Sequence, residues 1–357
     1  MLKTIDYWMI TPSFTPSVGG VERHVDSVHR ALQAFGLHGN ILVLGSPPKE
    51  GSSFLTHYIA KPRGRWPKIR RAFLKFFGED HYAKEVVALL DPKGQSILHF
   101  HDYHTLYPFI DVLQRNNMLN RVFLTFHGWE GCYPPKRKVI LQRQTCNATA
   151  RGTIAVGDFI PAWYGTPVDV VMYGGISPEA FPKSLSLKLL EKNLCYLGQF
   201  RDDTGLPLLL SAMERLSTKK DSAIRLHAYG FGPMAELMAR HKLVTIHPPV
   251  TDVSPVILGY PIIVVSGYLS ILEALYCRRV VIAMYHNAGR ESYLRTHPMA
   301  ASLFICGNAD EFTSAVEQCL FDLDRVAARF EPAWAWAQNQ TWGQVAETYL
   351  ALWNKSE

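Results

Sequence analysis

No apolar run in this chain of 357 residues approaches the roughly 20 consecutive residues that a membrane-spanning helix requires. Charge is sparse as well. Only 19% of residues are Asp, Glu, Lys or Arg, against 48% hydrophobic, so a sizeable core is within reach of each of about two domains. Cysteine is scarce and unpaired: the six cysteines stand singly with no CxxC among them. That argues against a disulfide framework or a zinc ribbon and suits a reducing, cytoplasmic setting. The opening MLKTIDYWMITPS contains Asp6 and no small-residue cleavage site, so it reads as a first strand and not a secretory signal. Repeats of roughly 20 to 50 residues are absent, which excludes a solenoid or propeller.

What charge there is lies unevenly. Residues 1–177 carry 20 Lys and Arg against 13 Asp and Glu, a balance of +7, whereas residues 178–357 carry 17 against 18, a balance of −1. The basic excess concentrates in 61–75, KPRGRWPKIRRAFLK, with a second cluster at Lys136-Arg137-Lys138. There Lys61, Arg63, Arg65, Lys68, Arg70, Arg71 and Lys75 interleave with Trp66, Ile69 and Phe73, a composition suited to an anionic membrane surface. A solvated helix face, or a site for an acidic acceptor, has the same composition. No nucleic-acid-binding module is recognisable, and nucleic acid is not an expected partner.

Apolar strand patterns alternate with helical ones throughout. Strands are expected at 4–11, 41–44, 97–101, 122–126, 153–156 and 168–172, and a helix at 21–35 with Val21, Val25, Val28 and Leu32 on one side. Gly174-Gly175 and Pro178 interrupt this pattern and place a linker near 177–186. A second array follows, with strands expected at 194–197, 224–229, 244–247, 261–265, 280–284 and 303–306. Two consecutive β-α arrays give an α/β fold class: two doubly wound Rossmann-like domains, 1–177 and 178–340, facing across a cleft. Ligands in such sheets bind outside the carboxyl ends of the strands.

Several strand-end loops carry residues able to do chemistry. In 264–284, VVSGYLSILEALYCRRVVIAM, Glu273 is the one carboxylate in an apolar strand-loop-helix passage. A Glu there can accept hydrogen bonds from the vicinal hydroxyls of a ribose; pairing with Arg278 or Arg279 is the simpler reading. Gly19-Gly20 precedes the helix opening Val21-Glu22-Arg23-His24, and Gly230-Phe231-Gly232-Pro233 forms a second glycine-rich turn. Glycines let backbone N–H groups approach an anion at a helix N-terminus, and ordinary turns use them too. His127 follows an expected strand, where it can donate to a substrate oxygen, move a proton, or simply hold a turn. His99-Phe100-His101-Asp102-Tyr103-His104 is superficially like a hydrolase metal signature, which would make the protein a metal-dependent hydrolase. The Asp stands one place early, however, and no later His/Asp cluster completes a set. Asp202-Asp203 reads as an exposed turn in preference to a metal clamp.

Together these stretches resemble the family 4 retaining glycosyltransferases of GT-B fold, over nearly the whole chain. PSVGGVERHV (16–25), HFHDYHT, LTFHG, VVMYGGI, YLGQF with Thr204-Gly205, HAYGFGP and the Glu273 helix fall in the family's order and spacing. The last helix, from Trp342, is similar to the segment that crosses back to the first domain, making 341–357 a third region. The resemblance implies a metal-independent enzyme with no cofactor, taking a nucleotide-sugar donor and a glycan or lipid-linked acceptor for surface polysaccharide or glycoconjugate synthesis. The expected location is the cytoplasm, with the basic segment as the expected contact to the inner face of the membrane. His127 and Glu273 would be catalytic. Gly19, Gly20, Gln199, Arg201, Thr204, Gly230, Gly232 and the loop Ser266, Gly267, Tyr268, Leu269 would bind the donor. His101, Asp102 and His127 would lie on the acceptor side.

Three positions depart from the family. Its first paired Glu is Val265 here, and the usual Arg and Lys that grip the leaving phosphates are Gln199 and Thr204. Arg201 is the expected substitute for one lost cation. The same departures support an alternative: a non-catalytic sugar-nucleotide binder, or a subunit of a larger transferase.

Overall fold

A computed structural model describes residues 6–14, 19–47, 56–60, 81–90, 94–128, 130–181, 193–218, 224–250 and 252–355. The basic segment 61–75, with its expected membrane contact, lies outside the described residues. So does the second half of the expected linker, 182–186. Among the described residues, no helix is long and apolar enough to cross a membrane. The chain divides into two compact units. One comprises Met1–Met172 with Trp342–Glu357, and the other Tyr173–Thr341.

The first unit is built on seven parallel strands: β1 (Tyr7–Thr11), β2 (Gly39–Val43), β3 (Thr56–Tyr58), β4 (Ile97–His101), β5 (Val122–Phe126), β6 (Gly152–Val156) and β7 (Val170–Met172). Their order is β3-β2-β1-β4-β5-β6-β7. β1 and β5 are buried along their whole length, as expected where helices cover both faces of a parallel sheet. The helix Gly20–Ala34 packs His24, Val25, Val28, His29 and Leu32 inward, a stripe with helical spacing. Val21, expected on this stripe, is only half-buried, and two histidines join the core face instead. The last helix, Trp342–Trp353, is part of this unit and buries Tyr349 and Trp353. β3 was not foreseen, because Thr56-His57-Tyr58 has no apolar run; its parallel pairing with β2 defines it.

The second unit has six parallel strands: β8 (Asn193–Leu197), β9 (Arg225–Tyr229), β10 (Val244–His247), β11 (Ile262–Val264), β12 (Val280–Met284) and β13 (Phe304–Cys306). Their order is β10-β9-β8-β11-β12-β13. In each sheet the direction of strand progression reverses once, between β1 and β4 and between β8 and β11. At such a switch point the adjacent crossovers run to opposite faces and leave a crevice beyond the carboxyl ends. His101 is the last residue of β4, and the other described sequence-predicted site residues fall in loops or helices following strand ends. The expected strand spans 97–101, 122–126, 244–247 and 280–284 are found residue for residue, while others differ at their ends by a few residues, as strand boundaries do.

Candidate active site

At the carboxyl end of the first sheet a hydrogen-bonded group of aromatic rings has formed from four distant parts of the chain. Trp353 Nε1 donates to His99 Nδ1 at 2.9 Å. An indole nitrogen can only donate, so neutral His99 holds its proton on Nε2 and gives it to Thr125 Oγ1, 2.7 Å away. Thr125 Oγ1 lies 2.8 Å from the Tyr349 hydroxyl, which in turn lies 3.0 Å from His24 Nε2. Both His99 nitrogens are committed, so a metal ion could bind this ring only by breaking a buried hydrogen bond. Among the described residues, no three His, Cys, Asp or Glu side chains are arranged to hold a metal.

His127 and His101 form the second part. His101 Nδ1 lies 2.9 Å from His127 Nε2, and the rings stack at 5.2 Å. His101 Nε2 is buried with no hydrogen-bond partner. An unmet acceptor is tolerated better than an orphaned buried N–H, so His101 is protonated on Nδ1 and donates to His127. His127 consequently carries its proton on Nδ1. Burial, reinforced by the neighbouring imidazoles and Arg143, holds the His127 pKa down to about 3. His24, His99 and His101 are lowered well below 6.5, by burial first and then by adjacent imidazoles. At neutral pH all four rings are uncharged. His127 is thus equipped to donate one hydrogen bond and accept another, not to deliver a proton as an imidazolium.

Arg143, which nothing in the sequence singled out, holds the turn after His127. Its guanidinium is fully buried, donates to the Gly128 carbonyl, and pairs with Glu130 Oε1 at 2.8 Å and Asp102 Oδ1 at 3.7 Å. The ring of Tyr164 lies 4.0 Å from it, close enough for a cation–π contribution. Burial disfavours its charge, but Asp102 and Glu130 outweigh burial and raise its pKa above the usual arginine value. Asp102 itself adopts φ 75°, a left-handed conformation costly for a non-glycine residue. Its carboxylate caps the Tyr103 amide at 2.9 Å, and its own amide donates to Thr125 at 2.7 Å. The expected acceptor-side residues His101, Asp102 and His127 are therefore neighbours, with Arg143 binding their loops together.

Gly19 caps the helix Gly20–Ala34 in extended conformation with no side-chain cap. Glu22, three residues on, bonds to Ser13, and its Oε2 comes within 2.3 Å of where a Gly19 Cβ would stand. A carboxylate at a helix N-terminus is electrostatically favourable, and an incoming phosphate there would compete with it. A Cβ on Gly20 would meet nothing within 4 Å.

In the second unit, Glu273 sits on the helix Tyr268–Tyr276 and is 4% exposed. Arg278 pairs with Glu331 at 2.7 Å, and Arg279 donates to the carbonyls of Ile257 and Leu258. The loop Ser266-Gly267 leads into this helix. Tyr293 holds the loop from the neighbouring helix Ala288–Arg295: its hydroxyl accepts from the Tyr268 amide at 3.0 Å, and its carbonyl accepts from the Tyr268 hydroxyl at 2.6 Å. The Tyr268 amide, expected to face the donor, is thus already engaged. Leu269 is half-buried and Gly267 exposed.

Thr204 and Arg201 differ in character. Thr204 is 9% exposed; its hydroxyl donates to the Arg201 carbonyl at 2.7 Å and accepts from Tyr196 at 3.1 Å. It closes a turn where the family has a cation. Gln199 is exposed, and its carbonyl accepts from Tyr196 at 2.8 Å. Arg201, about half exposed, pairs with Asp203 at 2.8 Å. The other oxygen of Asp203 takes Arg290 at 2.7 Å, and Arg290 also reaches the Ser266 carbonyl at 3.5 Å. Burial opposes the Asp203 charge, but Arg290 and Arg201 lower its pKa overall. Sequence spacing gave no sign of Arg290, which lies 87 positions from Asp203.

Gly230 and Gly232 have a packing reason of their own. At φ 154° and 151°, a Cβ on Gly230 would stand 1.9 Å from the Gly198 carbonyl oxygen, and one on Gly232 2.5 Å from that of Phe200. The Phe200 amide donates to Phe231 at 2.8 Å, and Met234 to Phe200 at 3.1 Å, so the two loops are laced backbone to backbone. Gly230→Ala is expected to destabilise the protein by about 2–4 kcal/mol through overpacking and backbone strain. Urea unfolding of the variant checks this, and a loss within about 0.5 kcal/mol, typical of a neutral surface site, would show that the loops yield.

The model of the family described as "Glycosyl transferases group 1" matches residues 191–322, the greater part of the second unit. No curated protein sequence matches the chain. Among solved structures, the Anabaena protein Alr3699/HepE in complex with UDP and glucose superposes with a TM-score of 0.68 at 13% identity, over 98% of this chain and 100% of that one. The lipopolysaccharide outer core galactosyltransferase WaaB gives 0.66 at 12%, over 97% and 98%. WaaG, a glycosyltransferase involved in lipopolysaccharide biosynthesis, gives 0.63 at 12%, over 98% and 100%. The fold is that of the GT-B glycosyltransferases. The segment that bears Gln199, Arg201, Thr204, Gly230, Gly232, Glu273 and Arg290 is the one with the group 1 glycosyltransferase pattern.

Proposed function

We propose that the protein is a retaining glycosyltransferase that moves a sugar from a nucleotide-sugar donor to a glycan or lipid-linked acceptor. The observation that carries this reading is Glu273. It is a buried carboxylate on the helix that follows β11, beside the β8–β11 switch point and inside the segment that matches the group 1 family. There it would accept both ribose hydroxyls of the donor. Ser266, Gly267 and Leu269 would meet the diphosphate, where backbone can approach closely. Arg290 and Arg201, joined through Asp203, would supply the positive charge that Gln199 and Thr204 do not. In retention without a metal, the departing phosphate itself shields the developing oxocarbenium charge on one face, and fixed donors steady that phosphate. Neutral His127 would orient a hydroxyl of the transferred sugar or the acceptor. UDP in the Anabaena structure makes uridine diphosphate the first nucleotide to try, and WaaB and WaaG make a bacterial surface glycan the first acceptor class. A cytoplasmic setting, with the basic segment touching an anionic membrane, belongs to the same proposal.

Glu273→Gln is expected to weaken nucleotide binding by about 10- to 100-fold, since a hydrogen bond to a charged group is worth roughly 1.5–3 kcal/mol. Isothermal titration with UDP, GDP, ADP and CMP measures it. Unchanged affinity in the variant, or no nucleotide bound by the wild type, would sink the reading. Arg201→Ala and Arg290→Ala each should lower the rate of donor turnover; if Arg201→Ala leaves it unchanged, Arg201 is no substitute for the missing cation. The second reading, a non-catalytic binder, is favoured by one observation: Thr204 is spent on a turn. A binder would take up nucleotide yet release no sugar from the donor when acceptor is withheld.

A further inference from the structure

One face of the second sheet is polar where a covered parallel sheet is normally apolar. β12 shows the usual pattern, all five residues buried. β9 does not: Leu226 and Ala228 are fully buried, whereas His227 and Tyr229, which alternate with them and so point to the opposite face, are half-buried. The helix beside that face, Ser254–Leu258, has only 5 residues. Next to it opens a cavity of about 410 Å³, whose lining includes Asn193, His227, Tyr229, Val256 and Tyr260. The cavity is not the donor crevice. Tyr229 adjoins the Gly230 turn, but the lining runs back to Asn193 at the amino end of β8, along the face of the sheet.

Its wall is a built aromatic platform. Tyr229 stacks on His247 with centroids 4.3 Å apart and planes 9° from parallel, and His227 stacks on the same imidazole at 5.3 Å. His227 Nδ1 and His247 Nε2 are 3.0 Å apart, and the hydroxyls of Tyr229 and Tyr260 meet at 3.3 Å. Among the described residues no Lys, Arg, Asp or Glu lines the space, so none of them offsets the charge of a phosphate or an ammonium group. What the lining offers is ring faces together with two tyrosine hydroxyls, an amide and the His227 imidazole. Those are the requirements of a pyranose, which has an apolar C–H face and a rim of hydroxyls. The volume falls in the ordinary range of small-ligand sites, roughly 300–1,000 Å³.

We propose that this cavity is a second carbohydrate site, binding a neutral saccharide on the face of the β8–β9–β10 sheet. The proposal goes beyond the transferase reading and stands without it. Saturation-transfer NMR on the full chain tests it, with maltose, cellobiose, lactose and diacetylchitobiose as neutral probes and uridine and UMP as comparisons. At least one disaccharide is expected to receive saturation, with millimolar affinity. Tyr260→Ala should lower that affinity at least about tenfold, the equivalent of 1.4 kcal/mol. Val256→Arg, on the helix Ser254–Leu258, should lower it too without altering any platform ring. Glu273→Gln, which lowers nucleotide affinity under the transferase reading, should leave the disaccharide signals unchanged, so the two readings fail separately. No transfer to any disaccharide overturns the proposal, as does transfer that survives both cavity variants. A response confined to uridine and UMP, and lost in those variants, would make the cavity a nucleobase site and overturn it equally.

Discussion

Acidification from about pH 7 to about pH 5.5 is expected to remove on the order of 5 kcal/mol of stability, through His24, His99, His101 and His127 alone. All four are held neutral by burial, with pKa values below the ordinary 6.5; that of His127 is about 3. In the unfolded chain each titrates near 6.5, so below that pH the unfolded state takes up protons that the folded state refuses, and stability falls as pH drops. The loss continues until the folded pKa values are reached. Asp169 and Asp203 have lowered pKa values and act the other way round: their contribution is intact at these pH values and fades only as the acid range near their unfolded pKa is entered. Total stabilities of about 5–15 kcal/mol make cooperative acid unfolding above about pH 4 the expected outcome. Urea midpoints measured across this range give the slope directly. A flat profile from about pH 7 to about pH 5.5 would mean that these imidazoles are not buried neutral.

Arg143→Met should cost about 3–5 kcal/mol, the usual consequence of removing one member of a buried charge group. The guanidinium answers two carboxylates, Asp102 and Glu130, and the Gly128 carbonyl, from a fully buried position. Its removal strands Asp102, which is 8% exposed, while Glu130 can turn to solvent, and methionine only restores volume. Adding Asp102→Asn should recover part of the loss, because the stranded charge is then gone. Chemical denaturation of the single and double variants measures both. A single-variant loss below about 1 kcal/mol, the size of an exposed ion pair, would show that solvent reaches this cluster. The functional consequence follows from Gly128: when its anchor is removed, the turn that orients His127 loosens, and any turnover should fall by more than the loss of folded protein explains.

Much of this architecture was legible before any coordinates. β5 and β12 announce themselves by buried apolar runs, and Gly20–Ala34 by apolar residues at helical spacing, because both signals are local and periodic. Glu273 was visible for the same reason: a single carboxylate in an apolar helix contradicts its surroundings. β3 was not legible, since three residues without an apolar run have no period to detect. Arg143 was hidden in a helix of polar composition, RKVILQRQTCNAT, where nothing local separates a buried arginine from an exposed one.

Alternation of strand and helix, the strand-end placement of His127, Glu273 and the glycine turns, and the class of fold were settled by the sequence alone, because each depends on neighbours a few residues apart. Tertiary structure alone decided which strand ends share a switch point, and which side chains meet there. Trp353 reaches His99 across 254 positions, Tyr349 reaches Thr125 across 224, and Arg290 meets Asp203 across 87. The same holds for the reasons behind similar residues: Gly230 is required by a carbonyl oxygen arriving from another loop, while a Cβ on Gly20 would touch nothing. Protonation belongs to this second class as well. An isolated imidazole titrates near neutrality, and these four lose that property because folding removes their water and supplies fixed hydrogen-bond partners in its place.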